Sequence, residues 1–97
     1  MKKLLIGILA LSSISAFAGA FEICERAAIR NEVPNASFYC RNMQSIGQAI
    51  CVAAALDTSV PAAKLYCSDV IGYEYGSCVA DALLNSRPDA KGRCRND

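Results

Sequence analysis

Six cysteines, Cys24, Cys40, Cys51, Cys67, Cys78 and Cys94, fall at alternating intervals of 16 and 11 along the chain. The two intervals together define a period of 27, and a fixed period of this size is the mark of a tandem array of one supersecondary unit. Other columns keep the register. Pro34, Pro61 and Pro88 are 27 apart, as are Ala28, Ala55 and Ala82, and Ala36, Ala63 and Ala90. Ile29, Leu56 and Leu83 hold an aliphatic residue in step. Tyr39 and Tyr66 each precede the second cysteine of a copy, where the third copy has Arg93. The spacing predicts three tandem copies, at about 24–50, 51–77 and 78–97, within a single domain over 21–97.

Each copy reads as a helical hairpin, so the expected fold class is all-α. The first segment starts near its cysteine and is rich in alanine and leucine, which are strong helix formers (Cys24–Ile29, Cys51–Leu56, Cys78–Leu83). Cys51, Ala54, Ala55 and Thr58 share one helix face, as do Cys24, Ala27, Ala28 and Asn31. The alanines let a neighbouring helix come close. The prolines then open a second segment, where a missing N–H has no partner to lose. Ser59 is the expected N-cap of that segment in the middle copy. Gly47, Gly72 and Gly76 are expected to terminate helices in the linkers.

Six cysteines allow 15 connectivities. Cys24 and Cys40 lie equally far from position 32, at the hairpin turn, and the same symmetry holds for Cys51 with Cys67 and Cys78 with Cys94. Two antiparallel segments folding there bring those pairs together. Cysteines 11 apart in one unbroken helix would be about 16 Å apart, too far for a bridge. The linker glycines could break such a helix, which leaves Cys40–Cys51 and Cys67–Cys78 open. A nested ladder centred on position 59 conflicts with the prolines, since reflection carries Pro34 onto Leu84. One bridge per copy is the preferred reading. Each closes a loop worth about 3 kcal/mol in the chain-entropy model, so reduction is expected to unfold the domain.

Residues 1–20 read as a secretory signal peptide. Lys2 and Lys3 form a positive start, Leu4–Leu11 an apolar run of eight, and Ser12, Ser13 and Ser15 break it. Small residues place cleavage after Ala18 or Ala20. A transmembrane anchor needs about 20 largely apolar residues, so no membrane span is expected in the mature chain. The first cysteine is Cys24, away from the cleavage point, which argues against lipid attachment there. The short leader beginning Met-Lys-Lys resembles bacterial export signals. Export to the periplasm or the medium is the consequence, and both permit disulfides.

Ten basic and nine acidic residues give a net +1, and loss of Lys2 and Lys3 leaves eight against nine. Such a chain is a poor partner for nucleic acid. Histidine is absent, which removes the imidazole base and the imidazole metal ligand. Zinc sites use close C-x₂₋₄-C pairs and redox enzymes C-x-x-C. Neither occurs here, so no metal and no cofactor is expected, and the cysteines read as structural. Saposin-like domains also carry six cysteines on helices, but their first two lie close together. The twin-cysteine hairpins of the mitochondrial intermembrane space match only the shorter of the two intervals. Asp57, Asp69, Asp81 and Asp89 show no acid–base spacing, and Lys64 and Lys91 read as exposed helix surface. No enzyme is expected.

In a stack, outer units carry the polar faces. The first copy has Glu22, Glu25, Arg26 and Arg30, and the third has Asp81, Arg87, Asp89, Lys91, Arg93 and Arg95, around an apolar middle copy. Tyr39 and Tyr66 are expected to shield the neighbouring disulfides. Tyr73 and Tyr75, in a Gly-flanked linker, are the candidate partner contacts. The basic tail Arg87–Arg95 reads as a solvated terminal cap. The function expected is a small, non-catalytic interaction or structural module of the cell envelope, its partner a protein or another envelope component. A secreted toxin or hydrolase inhibitor on the same scaffold is the alternative.

Overall fold

A computed structural model describes residues 15–95. The positive start and apolar run of the expected leader lie outside the described residues. Among the described residues the chain is helical without strands: α1 Ser15–Arg30, α2 Ala36–Tyr39, α3 Ile46–Asp57, α4 Ala63–Tyr66, α5 Tyr73–Leu84 and α6 Ala90–Arg95. Each long helix folds back on a short one, and a disulfide closes each hairpin. The bridges are Cys24–Cys40, Cys51–Cys67 and Cys78–Cys94, with Cα–Cα distances of 5.7, 5.9 and 5.8 Å. All lie within the reach of an ordinary disulfide.

The turns recur at a spacing of 27. After α1, Val33 N donates to Ala28 O at 2.8 Å; after α3, Val60 N to Ala55 O at 2.8 Å; after α5, Arg87 N to Ala82 O at 2.9 Å. This is the Schellman closure of a helix, and it demands a left-handed residue just past the end. Glu32, Ser59 and Ser86 take it, with φ of 60°, 62° and 57°. A short way on, Asn35, Ala62 and Asp89 are left-handed again, with φ of 53°, 51° and 54°. The chain thus reverses on two left-handed residues around each proline. Ser59 therefore ends α3 rather than capping α4, whose N-cap is Ala62.

The glycines also differ from expectation, since none of those described has a positive φ. The long helices begin ahead of the cysteines, so Gly47 and Gly76 sit inside α3 and α5, and Gly72 precedes α5. A Cβ on Gly47 would overlap the backbone of Ile71 and Gly72, and one on Gly76 would overlap the backbone of Gly47. These two positions need glycine because chains touch there, not because a helix stops.

α3 lies in the middle, packed on α1 on one side and α5 on the other. The core is built of small residues. Its largest fully buried side chains are Val52, Val70, Val79, Cys24, Cys40, Cys51 and Cys67, so close backbone approach takes the place of bulky interdigitation. The hairpins are joined by polar contacts as well. Arg30 grips Asp57 through two hydrogen bonds of 2.7 and 3.1 Å, and Asn31 donates to the same carboxylate at 2.7 Å. The Arg30 hydrogen bond, aided by Asn31, holds the Asp57 carboxyl below its usual range against some desolvation. Lys64 lies 5.0 Å from the Tyr39 ring centre and Lys91 5.0 Å from that of Tyr66. Lys91 also donates to Tyr66 O at 2.9 Å and meets Asp69 at 2.8 Å. These lysines are joints between hairpins, not free helix surface. Both tyrosines pack on the core, and burial pushes their phenols above the ordinary range.

Candidate functional site: a cleft over the third disulfide

Gly72 opens α5 in extended conformation (φ −63°, ψ 146°), and Tyr73, Glu74 and Tyr75 form the first turn. The two tyrosines therefore belong to a helix, not to a linker. Two positions apart on a helix, they point to different sides. Tyr73 is 64% exposed, whereas Tyr75 packs against the core. Cys78 comes one turn after Glu74 and Tyr75, so all three share a face. That face and the end of α6, at Cys94 and Arg95, enclose a cavity of about 710 Å³ lined also by Gly72 and Tyr73.

Its lining brings together the Cys78–Cys94 bridge, Tyr73 and Tyr75 with one acid, Glu74, and one base, Arg95. The Tyr75 hydroxyl is buried and has no hydrogen-bond partner among the described residues. The Arg95 guanidinium comes near enough for the Tyr75 oxygen to favour its charge, without reaching hydrogen-bond geometry, and Asp69 and Asp89 add to the effect. A smaller hollow of about 410 Å³ lies at the other end, among Phe21, Ser37, Phe38 and Arg41. There Arg41 sits 5.2 Å above the Phe38 ring and Ser37 is tied to Glu25 at 2.7 Å.

The other candidate groups are engaged in the fold. Asp81 accepts from Asn85 at 3.1 Å and Asp89 from Gly92 N at 3.3 Å. Asp57 and Asp69 hold Arg30 and Lys91. The tail Arg87–Arg95 supplies α6, where Arg93 donates to Pro88 O at 3.0 Å. All six cysteines are bridged, and among the described residues no three Cys, Asp or Glu side chains converge as a metal site.

Gln48 is a residue of consequence that composition and motif leave unmarked. It is 5% exposed, the single buried polar side chain among the described residues. Its Nε2 donates to Cys67 O at 3.3 Å and Ser68 O at 3.5 Å, and its Oε1 accepts from Gln44 N at 2.8 Å. It fastens the end of the second hairpin to the start of α3. The repeat register is the signal that could find it, because it places Gln48 in step with Tyr75.

No described helix is long and apolar enough to cross a membrane. No family model, curated protein or solved structure matches the chain.

Proposed function

We propose that the chain is an exported protein in which three copies of one hairpin unit, each locked by its own bridge, form a non-catalytic interaction or structural module of the cell envelope. Tyr73 and Tyr75 present the contact surface. The observation that carries the reading is the open aromatic cleft over the Cys78–Cys94 bridge, in a molecule whose other two bridges are buried. The disulfides suit an oxidising compartment, and the left-handed turn residues at intervals of 27 suit copies of one unit. Burial also favours one of the two cleavage positions. Ala20 is fully buried and Gly19 lies beside Ile46. Cleavage after Ala18 keeps this packing, and cleavage after Ala20 would remove it.

The test is retention of the purified mature protein on envelope fractions, compared with the Tyr73→Ala and Tyr75→Phe variants. The reading expects retention of the wild type, weaker retention of the variants, and unchanged unfolding temperatures. Equal retention of all three would remove the tyrosines from the contact. Absence of retention, with action on foreign cells or on a purified hydrolase, would favour an effector.

A further inference from the structure

We infer that the row of short helices is a cationic face with apolar tips that rests the protein on an anionic lipid surface, Phe38 and Leu65 entering the headgroup boundary with Arg41 and Lys64 beside them. The inference goes beyond the interaction-module reading, and its contact residues lie outside the cleft.

The hairpins sort charge by segment. The second segments, 33–45, 60–72 and 87–95, carry six basic residues against two acids, whereas α1, α3 and α5 carry five acids against two bases. The short helices stand together. Lys64 of α4 reaches the Tyr39 ring of α2, and Lys91 of α6 reaches the Tyr66 ring of α4. So α2, α4 and α6 form one row, and the basic excess is gathered along it. Both acids of the row are engaged, Asp69 with Lys91 and Asp89 with the Gly92 amide. The molecule is thus polarised, and an anionic surface attracts the short helices while it repels the long ones.

Charge alone would suit any polyanion, and the apolar tips select a lipid surface. Phe38 and Leu65 are 66% and 74% exposed. They occupy the same place in consecutive copies, each just ahead of a tyrosine that packs on the core. A single exposed apolar residue is ordinary, but these two share a register position on neighbouring helices of the basic row. Arg41 lies 5.2 Å over the Phe38 ring, a stacking that engages the face of the guanidinium and leaves its edge to pair with phosphate. Lys64 precedes Leu65, and its ammonium lies over the ring that follows Phe38, so a second charge stands beside both tips. Apolar tips at the headgroup boundary and cations at the phosphates are the pattern of a contact that lies on a membrane. The exposed aliphatic residues Ile29 and Leu84 belong to the acidic long helices and serve as controls.

The sequence contains no tryptophan, so a single one reports its own surroundings. The exported protein, its N-terminus fixed by mass analysis, is mixed with vesicles of phosphatidylcholine, alone or with phosphatidylglycerol. Emission from Phe38→Trp and from Leu65→Trp should move to the blue on the anionic vesicles only, and Leu84→Trp should stay unchanged. In co-sedimentation, Phe38→Ser combined with Leu65→Ser should bind about tenfold more weakly, Arg41→Gln about fivefold more weakly, and Ile29→Ser like the wild type. All four side chains face solvent, so the variants should keep the wild-type unfolding temperature. The inference is overturned by no binding to anionic vesicles at low salt, by equal binding to neutral ones, or by a blue shift of Leu84→Trp equal to that of Phe38→Trp. Salt-sensitive binding that ignores the Phe38 and Leu65 exchanges would overturn it in favour of a soluble polyanion. Tyrosine-dependent envelope retention without vesicle binding would sink the lipid contact and leave the module reading standing. Vesicle binding with envelope retention that ignores the tyrosines would support the lipid contact and remove the cleft.

Discussion

The Cys51–Cys67 and Cys78–Cys94 bridges close loops of equal length, each from a long helix of the same size, yet their surroundings differ. Both middle sulfurs are enclosed, with Cys51 and Cys67 at 0% exposure, while Cys78 is half-buried at the edge of the cleft. The hairpin itself is the same in both. The difference lies in the segment laid over it. Residues 68–72, held by Ser45 and Gln48, cover the start of α3, whereas the corresponding described residues of α5 line the cleft. The same hairpin geometry thus gives an enclosed or a half-exposed bridge according to what packs over the start of its long helix.

The comparison can be broken most directly at the sulfurs. Replacing either pair by alanine should cost about 3 kcal/mol from the reopened loop. Cys51→Ala with Cys67→Ala should cost about 1 kcal/mol more than Cys78→Ala with Cys94→Ala, because it also leaves a cavity in an enclosed site. Denaturant melts of the two double variants measure the gap, and equal losses would mean that enclosure contributes nothing. Under mild reductant, alkylation with mass analysis should show Cys78–Cys94 opening first.

Glycine substitution probes the cover on α3. Gly47→Ala should destabilise by about 2–3 kcal/mol, since its Cβ meets the Gly72 backbone. Gly72→Ala, whose Cβ meets nothing within 4 Å, should cost less than about 1 kcal/mol, a helix-cap effect alone. Similar losses would show that residues 71–72 do not press on the helix.

Lys91 has a ring, a carbonyl and a carboxylate as partners, whereas Lys64 has the Tyr39 ring. Lys91→Ala should cost about 1 kcal/mol and Lys64→Ala about half of that. The turns provide the control in which the two hairpins behave alike. Ser59→Gly and Ser86→Gly should each gain about 0.5–1 kcal/mol by relieving a left-handed backbone that glycine adopts freely. Unequal gains in melting experiments would show that the turns are not equivalent.

The smallest effect is expected from pH. Asp57 titrates below the ordinary carboxylate value near 3.9 because Arg30 and Asn31 bind its charged form. Its contribution is present above that value and fades as the pH falls through the lowered one. Both partners face solvent, so the slope is shallow. Asp57→Asn should lower neutral stability slightly, in moderate salt, and flatten the acid limb between pH 5 and 2, so that variant and wild type converge at low pH. An unaltered acid limb would show that the pair adds nothing.

Much of the scaffold is legible in the residues because it is local. The helical segments follow from alanine- and leucine-rich runs, and the bridges pair cysteines placed evenly about a turn. The turn chemistry is harder to read. Left-handed positions usually announce themselves through glycine or asparagine, but here Ser59, Ala62 and Ser86 occupy them, and Ser59 looks like the cap of the helix it does not start. The glycines mislead for the opposite reason. Helix termination and close packing call for the same residue, and only the position of the neighbouring chain separates the two. Tyr73 and Tyr75 stand out as a pair in the sequence, but their unlike exposure depends on where α5 begins.

From the residues alone come the period of 27, the all-helical hairpins and the leader-like start, since periodicity, propensity and charge order are properties of the chain taken along its length. Folding alone assigns Gln48 its buried role, makes Lys91 a joint, brings Gly47 against Gly72 and leaves the third bridge beside a cleft. Those facts depend on distances between segments well separated along the chain, which no local pattern encodes.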